Sequence, residues 1–145
     1  MLKYRMLSSG VRKVLYIAVF LIGLWFYGEY LEPVRFDFPV HGFASWYSRE
    51  DPGVGKFTAN REKFDDSAMT CAAWGVPFGT HLKVTNKSNG RYVIVRVNDR
   101  GPHRRLVRKG RVIDLTKSAF RKIGSTKKGL IRVKVERLDD PSFKR

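Results

Sequence analysis

The sequence is poor in the residues that build covalent or metal-based frameworks. Its 145 residues include one cysteine, Cys71, which excludes an intrachain disulfide framework and a zinc site of several thiolates. Three histidines, His41, His81 and His103, are far apart in sequence and lack the paired spacing of metal ligands. We therefore expect no metal and no other cofactor, and we expect Cys71 to be a small buried apolar residue.

Acidic residues are scarce as well. The chain has 13 Asp and Glu against 29 Lys and Arg, a formal net charge of +16, and most of the excess lies after residue 40. A domain this basic is attracted to polyanions such as nucleic acid, anionic phospholipid or cell-wall polymers. With 43% hydrophobic residues it is not a disordered basic protein, and at 145 residues it is too short for a multidomain enzyme.

The first forty residues follow a different pattern from the rest. Residues 1–13 are basic and residues 14–28 carry no charge, as in an export signal inserted with its positive end in the cytoplasm. Because residues 14–28 end in large side chains, we expect an uncleaved hydrophobic anchor helix, with a cleaved signal peptide as the alternative. Residues 29–40 contain two prolines and are predicted to be a linker. The folded domain is expected over residues 41–138, followed by a short tail over residues 139–145.

The folded domain has the pattern of short strands separated by turns. Apolar and polar residues alternate, or β-branched residues cluster, in residues 42–48, 81–86, 91–98, 112–115 and 130–136. Asn89-Gly90 predicts a hairpin between the second and third of these segments. Thr116 is expected to cap a helix that ends at Gly124, and residues 67–74 are a second candidate helix. Five or six short strands with two short helices predict a small, mainly β barrel.

Five segments in this order resemble the rare lipoprotein A family of bacterial envelope proteins. They read Gly42-Phe43-Ala44-Ser45-Trp46-Tyr47, Phe57-Thr58-Ala59-Asn60-Arg61-Glu62, Pro77-Phe78-Gly79-Thr80 with Val84-Thr85-Asn86, Val95-Arg96-Val97-Asn98-Asp99-Arg100-Gly101-Pro102, and Val112-Ile113-Asp114-Leu115-Thr116 leading into Ala119. The resemblance covers roughly residues 41–137. It implies a six-stranded double-psi β-barrel of the barwin/expansin type with one or two short helices, preceded here by the N-terminal hydrophobic helix.

The resemblance also implies an activity and a location. The family's enzymes are lytic transglycosylases, which cleave the β-1,4 bond between N-acetylmuramic acid and N-acetylglucosamine of peptidoglycan and form a 1,6-anhydro ring. The expected location is the periplasm, with residues 14–28 anchoring the domain in the inner membrane. The expected partners are peptidoglycan glycan strands and division-site proteins, and we expect no nucleic-acid partner because an exported domain does not meet nucleic acid.

Two carboxylates are candidates for the chemistry. Asp99 follows an apolar strand, where burial could raise its pKa and let it protonate a leaving oxygen. The alternative is a turn residue that bonds local backbone N–H groups or Arg100. The resemblance implies that Asp99 is the catalytic acid and base. It implies that Glu62 is the second functional carboxylate, which orients the substrate, stabilises positive charge or assists proton transfer. Without the resemblance, Glu62 is an ordinary exposed loop residue beside Lys63. Asp114 is expected to stabilise the helix that follows it or an internal loop.

Other residues near these motifs are candidates for glycan binding. Trp46 and Tyr47 can stack on the apolar faces of sugars, with core aromatics of a small barrel as the alternative. Asn60 and Asn98 can hydrogen-bond sugar hydroxyl or acetamido groups, although both are also common turn residues. Arg100 is expected to hold the preceding carboxylate or to bind a glycan carboxyl group.

The sequence departs from the family at one position that bears on activity. The family usually has an active-site histidine where this chain has Ala73, and the next residue is Trp74. A positioned imidazole that transfers protons contributes about 10²–10⁴-fold to a rate. The alternative function is therefore a catalytically weak or inactive module that binds glycan or loosens the wall, as expansins do.

Overall fold

The computed structural model describes residues 14, 16–20 and 37–138, and the chain divides into two compact units, Met1–Pro33 and Val34–Arg145. In the first unit, the described residues are helical and their side chains are exposed. Among the described residues, no helix has the length and apolar character needed to cross a membrane. The predicted basic flank and tail, and most of the predicted anchor and linker, lie outside the described residues and stay predictions.

Six strands of the second unit close into a barrel. They are β1 (Val40–Tyr47), β2 (Thr70–Ala72), β3 (His81–Asn86), β4 (Tyr92–Asp99), β5 (Arg111–Thr116) and β6 (Leu130–Arg137). Around the barrel the order is β1, β5, β2, β4, β3 and β6. β1 pairs with β5 and β2 pairs with β4 in parallel, and the other neighbours are antiparallel. The predicted six-stranded, mainly β barrel is confirmed.

Alternation along the longer strands explains which side chains fill the barrel. Val84 of β3, Val95 of β4 and Val133 of β6 are fully buried, while the residues directly before and after each of them in its strand are more exposed. Burying one such side chain stabilises the fold by about 1.5–3 kcal/mol. The β3–β4 hairpin forms as predicted, with Gly90 at φ 71° in its turn.

Two short α-helices and one 3₁₀ turn complete the domain. They are α1 (Arg104–Val107), α2 (Lys117–Ile123) and the 3₁₀ turn Thr126–Lys128. Thr116 Oγ1 accepts the Ala119 N–H at 3.4 Å and α2 ends before Gly124, as the sequence predicts.

The predicted helix over residues 67–74 is wrong. Thr70–Ala72 form β2 instead, a three-residue strand that lies between β4 and β5 and is buried along its whole length. A strand this short with both faces covered shows no alternation, so its sequence does not distinguish it from a buried helix segment. Cys71 is fully buried in it, as predicted.

Candidate active site

A cavity of about 590 Å³ lies beside the carboxyl ends of three barrel strands. From the barrel it is lined by Ser45, Trp46 and Tyr47 of β1, Ala72 of β2, Asp99 of β4, and Arg111 and Asp114 of β5. The remaining lining residues come mainly from two loop regions, Asp51 to Phe57 and Arg100 to Leu106. The cavity therefore brings together residues that are far apart in sequence.

Asp99, the first candidate from the sequence, ends β4 and lines this cavity. Its Oδ1 accepts the backbone N–H of Ala59 at 2.9 Å and that of Arg100 at 2.8 Å. Its backbone oxygen accepts the N–H of Ala73 at 3.2 Å. The carboxyl group is thus oriented by backbone donors, one of them local as in a turn, while it faces the cavity.

Asp114 is the second candidate carboxyl group in the cavity, beside Asp99. A third acidic residue of the lining, Asp51, accepts the backbone N–H of Ser48 at 2.7 Å. It accepts a hydrogen bond from Ser45 Oγ of the paired strand β1, and its Oδ1 lies 3.9 Å from Arg111 Nη1. Burial is the largest cause that raises the pKa of Asp114, and the charge of Asp99 raises it further. Asp114 is therefore suited to holding a proton, a role that the sequence did not indicate.

The backbone approaches Asp114 closely at Gly101. A Cβ atom at Gly101 would lie 3.4 Å from Asp114 Oδ2 and 3.0 Å from the Cβ of Ala72. The second contact is tighter than van der Waals packing normally allows, so a side chain here would displace the segment that follows Asp99. The glycine lets this segment pass beside the buried carboxyl group.

Tyr47 places a hydroxyl group in the same cavity. Its ring contacts that of Phe64, with centroids 5.0 Å apart. Its hydroxyl is buried, and no atom of the described residues is within hydrogen-bond geometry of it. Burial raises the pKa of Tyr47, and the neighbouring carboxylates Asp99 and Asp114 raise it further. The hydroxyl therefore keeps its proton.

Trp46 both packs against the core and lines the cavity. It lines the cavity, but it is half-buried against the core and its Nε1 donates to the backbone oxygen of Thr126 at 3.2 Å. Lys117 Nζ lies 5.3 Å from its ring centroid. Both the core role and the cavity role considered from the sequence thus apply to it.

Glu62 lies outside the set of described residues that line the cavity. Its carboxylate forms a bidentate ion pair with Arg96, both N–O distances being 2.8 Å, and accepts from Asn98 Nδ2 at 3.0 Å. Hydrogen bonding from Arg96, followed by that from Asn98, lowers the pKa of Glu62 to about 2. Glu62 is therefore a fixed anion that ties residues 58–62 to β4.

The predicted glycan-binding polar residues divide between this ion-pair network and the cavity. Asn60 Oδ1 accepts from Thr58 Oγ1 at 2.6 Å and from the Glu62 N–H at 3.1 Å, which stabilises the loop. Asn98 is buried and bonds Glu62. Arg100 lines the cavity, where its guanidinium stacks 3.6 Å from the Phe78 ring centroid.

Ala73 and Trp74 support the segment that follows Asp99. The buried Ala73 accepts a hydrogen bond from Arg100 Nη1 at 3.1 Å through its backbone oxygen. Trp74 Nε1 donates to the backbone oxygen of Pro102 at 2.6 Å. His103, which sequence reasoning left without a role, follows directly and lines the cavity.

Comparison with known proteins assigns the family. The sequence matches the family described as lytic transglycolase over residues 40–135. The chain belongs to this family. It is 48% identical over 95 residues to a Nostoc protein named "Probable endolytic peptidoglycan transglycosylase RlpA", covering 66% of this chain and 24% of that protein. A Rickettsia felis protein named "Endolytic peptidoglycan transglycosylase RlpA" is 39% identical over 108 residues, 74% of this chain and 46% of that protein.

The chain thus spans between about a quarter and a half of the length of these curated relatives. The crystal structure of apo expansin from Clavibacter michiganensis has a similar fold, with a TM-score of 0.50 at 25% identity. The likeness covers 72% of this chain and 52% of the expansin chain. The resemblance to the rare lipoprotein A family and the double-psi β-barrel fold are confirmed.

Proposed function

We propose that this protein is a lytic transglycosylase that cleaves the β-1,4 bond between N-acetylmuramic acid and N-acetylglucosamine in peptidoglycan glycan strands. The observation that carries the proposal is that Asp99 and the buried Asp114 line the same cavity in a barrel of this family. The similarity to proteins named endolytic peptidoglycan transglycosylases supports peptidoglycan as the substrate.

Asp114 is the proposed acid. A carboxyl group whose pKa is raised by burial keeps its proton to a higher pH than an ordinary aspartate does, which is what a general acid requires. Asp114 donates this proton to the glycosidic oxygen as the bond from that oxygen to C1 of muramic acid breaks. The departing N-acetylglucosamine leaves with a free 4-hydroxyl group, and positive charge develops on the muramyl ring.

Asp99 is the proposed base. As the muramyl 6-hydroxyl oxygen attacks C1, its proton passes to Asp99, and the new C1–O6 bond closes the 1,6-anhydro ring. No water is consumed, and the proton returns from Asp99 to Asp114 through solvent before the next turnover. The two backbone N–H groups on Oδ1 of Asp99 fix the orientation that the transfer requires.

Glu62 is a positioning residue in this account. Its ion pair with Arg96 holds residues 58–62 against β4, and Ala59 of that segment donates to Asp99. Tyr47 and Arg100 are the proposed glycan-binding donors in the cavity, with Trp46 contributing apolar surface. Asn60 and Asn98 act on the substrate only through the loop that they stabilise.

The second candidate function is a glycan-binding or wall-loosening module without turnover. Ala73 stands at the position where the family usually has its active-site histidine, and the fold is shared with an expansin. Such a module would keep the cavity and bind glycan strands. It would release no product.

We further propose that the domain is periplasmic and anchored in the inner membrane by residues 14–28. Support comes from the basic flank that precedes this uncharged segment and from the exposed, mostly apolar helical side chains of residues 14 and 16–20. Division-site proteins stay a predicted class of partner. The location is tested with a reporter that is active only in the periplasm, fused after Arg145. A fusion protein that accumulates in the cell but shows no reporter activity would contradict the proposed location.

The activity is tested by digesting peptidoglycan, both intact and stripped of stem peptides, with the full-length chain and reading the products by mass spectrometry. We expect 1,6-anhydro-muramyl ends that disappear with Asp99→Asn. Glu136→Gln is the matched control, because it makes the same carboxylate-to-amide change in an ion pair with Lys134 on β6. Reducing ends instead of anhydro ends would identify a hydrolase. Glycan binding without any product would favour the second candidate function.

A further inference from the structure

His103 lies in the cavity that holds both candidate catalytic carboxyl groups. It is four residues beyond Asp99 and lines the same cavity as Asp99 and Asp114. Gly101, two residues before His103, passes close to the Asp114 carboxyl group. Of the three histidines in the chain, His103 is the one among the lining residues of this cavity.

A hydrogen bond determines which nitrogen of the His103 ring carries the proton. His103 is the N-cap of α1, and its Nδ1 accepts the backbone N–H of Arg105 at 3.3 Å. In the neutral ring an acceptor at Nδ1 requires the proton to be on Nε2. The ring therefore presents a hydrogen-bond donor at its far side, and it cannot take a proton at Nδ1 without losing the cap.

A second contact holds the backbone from which the ring projects. Trp74 Nε1 donates to the backbone oxygen of Pro102, the residue directly before His103, at 2.6 Å. The guanidinium of Arg104, the residue directly after it, lies 5.5 Å from the Trp74 ring centroid. The indole thus contacts the residues on both sides of His103 and holds the backbone from which the imidazole projects.

We propose that His103 is a substrate-binding residue that donates from Nε2 to a hydroxyl or acetamido oxygen of the glycan, and that Trp74 positions it. The proposal rests on the proposed function, since it takes the glycan to be the occupant of the cavity. Glycan strands are rich in acceptor oxygens, and in the proposed reaction the proton of Asp114 goes to the glycosidic oxygen. The other acceptor oxygens of the strand therefore need a further donor. An imidazole that carries a proton on Nε2 adds such a donor to the cavity.

The test separates binding from turnover. Affinity for peptide-free glycan strands is measured by calorimetry in an Asp114→Asn background, so that the ligand is not consumed. His103→Ser retains an N-cap oxygen but removes the distant nitrogen. His81→Ser is the matched control, because His81 is also exposed but lies at the start of β3 and is not among the residues lining this cavity.

We expect His103→Ser to weaken glycan binding about threefold to tenfold, as the loss of one neutral hydrogen bond implies, and His81→Ser to leave it unchanged. Trp74→Phe should weaken binding less than His103→Ser. In the chain with Asp114 intact, His103→Ser should raise KM and leave kcat and its pH profile unchanged. Imidazole ¹⁵N NMR should show the Nε2–H form of His103 and a shift of that nitrogen when glycan is added.

Equal glycan affinity of His103→Ser and its parent, or an Nδ1–H ring in the free protein, overturns the proposal. A loss of kcat with a displaced pH profile also overturns it, because that result means proton transfer and not binding. Failure of the proposed function is a different result: the chain with Asp114 intact then releases no product, while the affinity and NMR measurements still decide the role of His103. If no glycan binds even the parent, both proposals fail.

Discussion

The two carboxyl groups Glu62 and Asp114 have opposite environments on the same barrel. The Glu62 side chain is 41% exposed and paired with Arg96 and Asn98, which lowers its pKa to about 2. The Asp114 side chain is 17% exposed and its pKa is raised by burial. Both residues lie in segments that resemble the family, but only the environment of Asp114 raises the pKa of the carboxyl group. Membership of a motif therefore does not determine how readily a carboxyl group holds a proton.

Of the substitutions that distinguish Asp114 from Glu62, we expect Asp114→Asn to have the largest effect on the reaction rate. Removing a general acid lowers a rate by about 10²–10⁴-fold, and the amide cannot donate the proton that the leaving oxygen needs. Release of anhydro-muramyl product, measured under single-turnover conditions, gives the rate. The circular dichroism spectrum serves as the folding control. Retention of the full rate in a folded Asp114→Asn protein would remove Asp114 from the mechanism.

Glu62→Gln should have a much smaller effect on the same rate. An exposed ion pair contributes about 1 kcal/mol or less, which corresponds to about fivefold in rate if all of it acts on the orientation of Asp99. The pH dependence of the rate should stay that of wild type. A loss as large as that of Asp114→Asn would show that Glu62 takes part in proton transfer and that our comparison is wrong.

Tyr47→Phe should separate stability from function. Burying a hydroxyl without a partner costs about 1–3 kcal/mol in proteins, so its removal should leave the free energy of unfolding unchanged or raise it. Glycan affinity should fall at the same time, because the cavity loses a donor. Urea unfolding and calorimetry measure the two quantities on one sample. A destabilised Tyr47→Phe protein would mean that the hydroxyl has a structural partner in solution.

The smallest effect expected is on the pH dependence of stability. The pKa of Glu62 falls from 4.5 to about 2 on folding, so its contribution is present above pH 4.5 and is lost as pH falls towards 2. The contribution of Asp114 to stability depends on pH in the opposite direction. Because the pKa of Asp114 is raised in the folded state, this contribution is present at low pH and is lost as pH rises through the folded-state pKa. The denaturant midpoint of Glu62→Gln should therefore change less between pH 4.5 and 2 than that of wild type. If the midpoints of the two proteins changed equally with pH, this prediction would be contradicted.

Local sequence signals predicted the parts of the fold that depend on neighbouring residues. The β3–β4 hairpin has Asn89-Gly90 in its turn, and α2 has a capping threonine and a terminal glycine. β2 was predicted wrongly because its three residues are a strand only by virtue of β4 and β5 on either side. The motif placed Asp99 at the end of a strand, which is where it lies.

The rest of the candidate site depends on pairings between distant segments. Ser45 reaches Asp114 across 69 residues through the parallel pairing of β1 and β5. Glu62 reaches Arg96 across 34 residues. A local sequence pattern carries no information about contacts between residues so far apart in sequence. Neither the burial of Asp114 nor the ion pair of Glu62 could therefore be predicted. A carboxylate within the apolar strand Val112 to Leu115 was the one available signal.

The most direct test of this account is a side-chain carboxyl ¹³C NMR titration that follows Asp114 and Glu62 in the same protein. Each signal is assigned by its loss in Asp114→Asn or Glu62→Gln. We predict that Asp114 titrates above the ordinary range of aspartate and that Glu62 titrates near pH 2. An Asp114 signal that titrates at or below the midpoint of Glu62 would contradict the assignment of Asp114 as the proton donor.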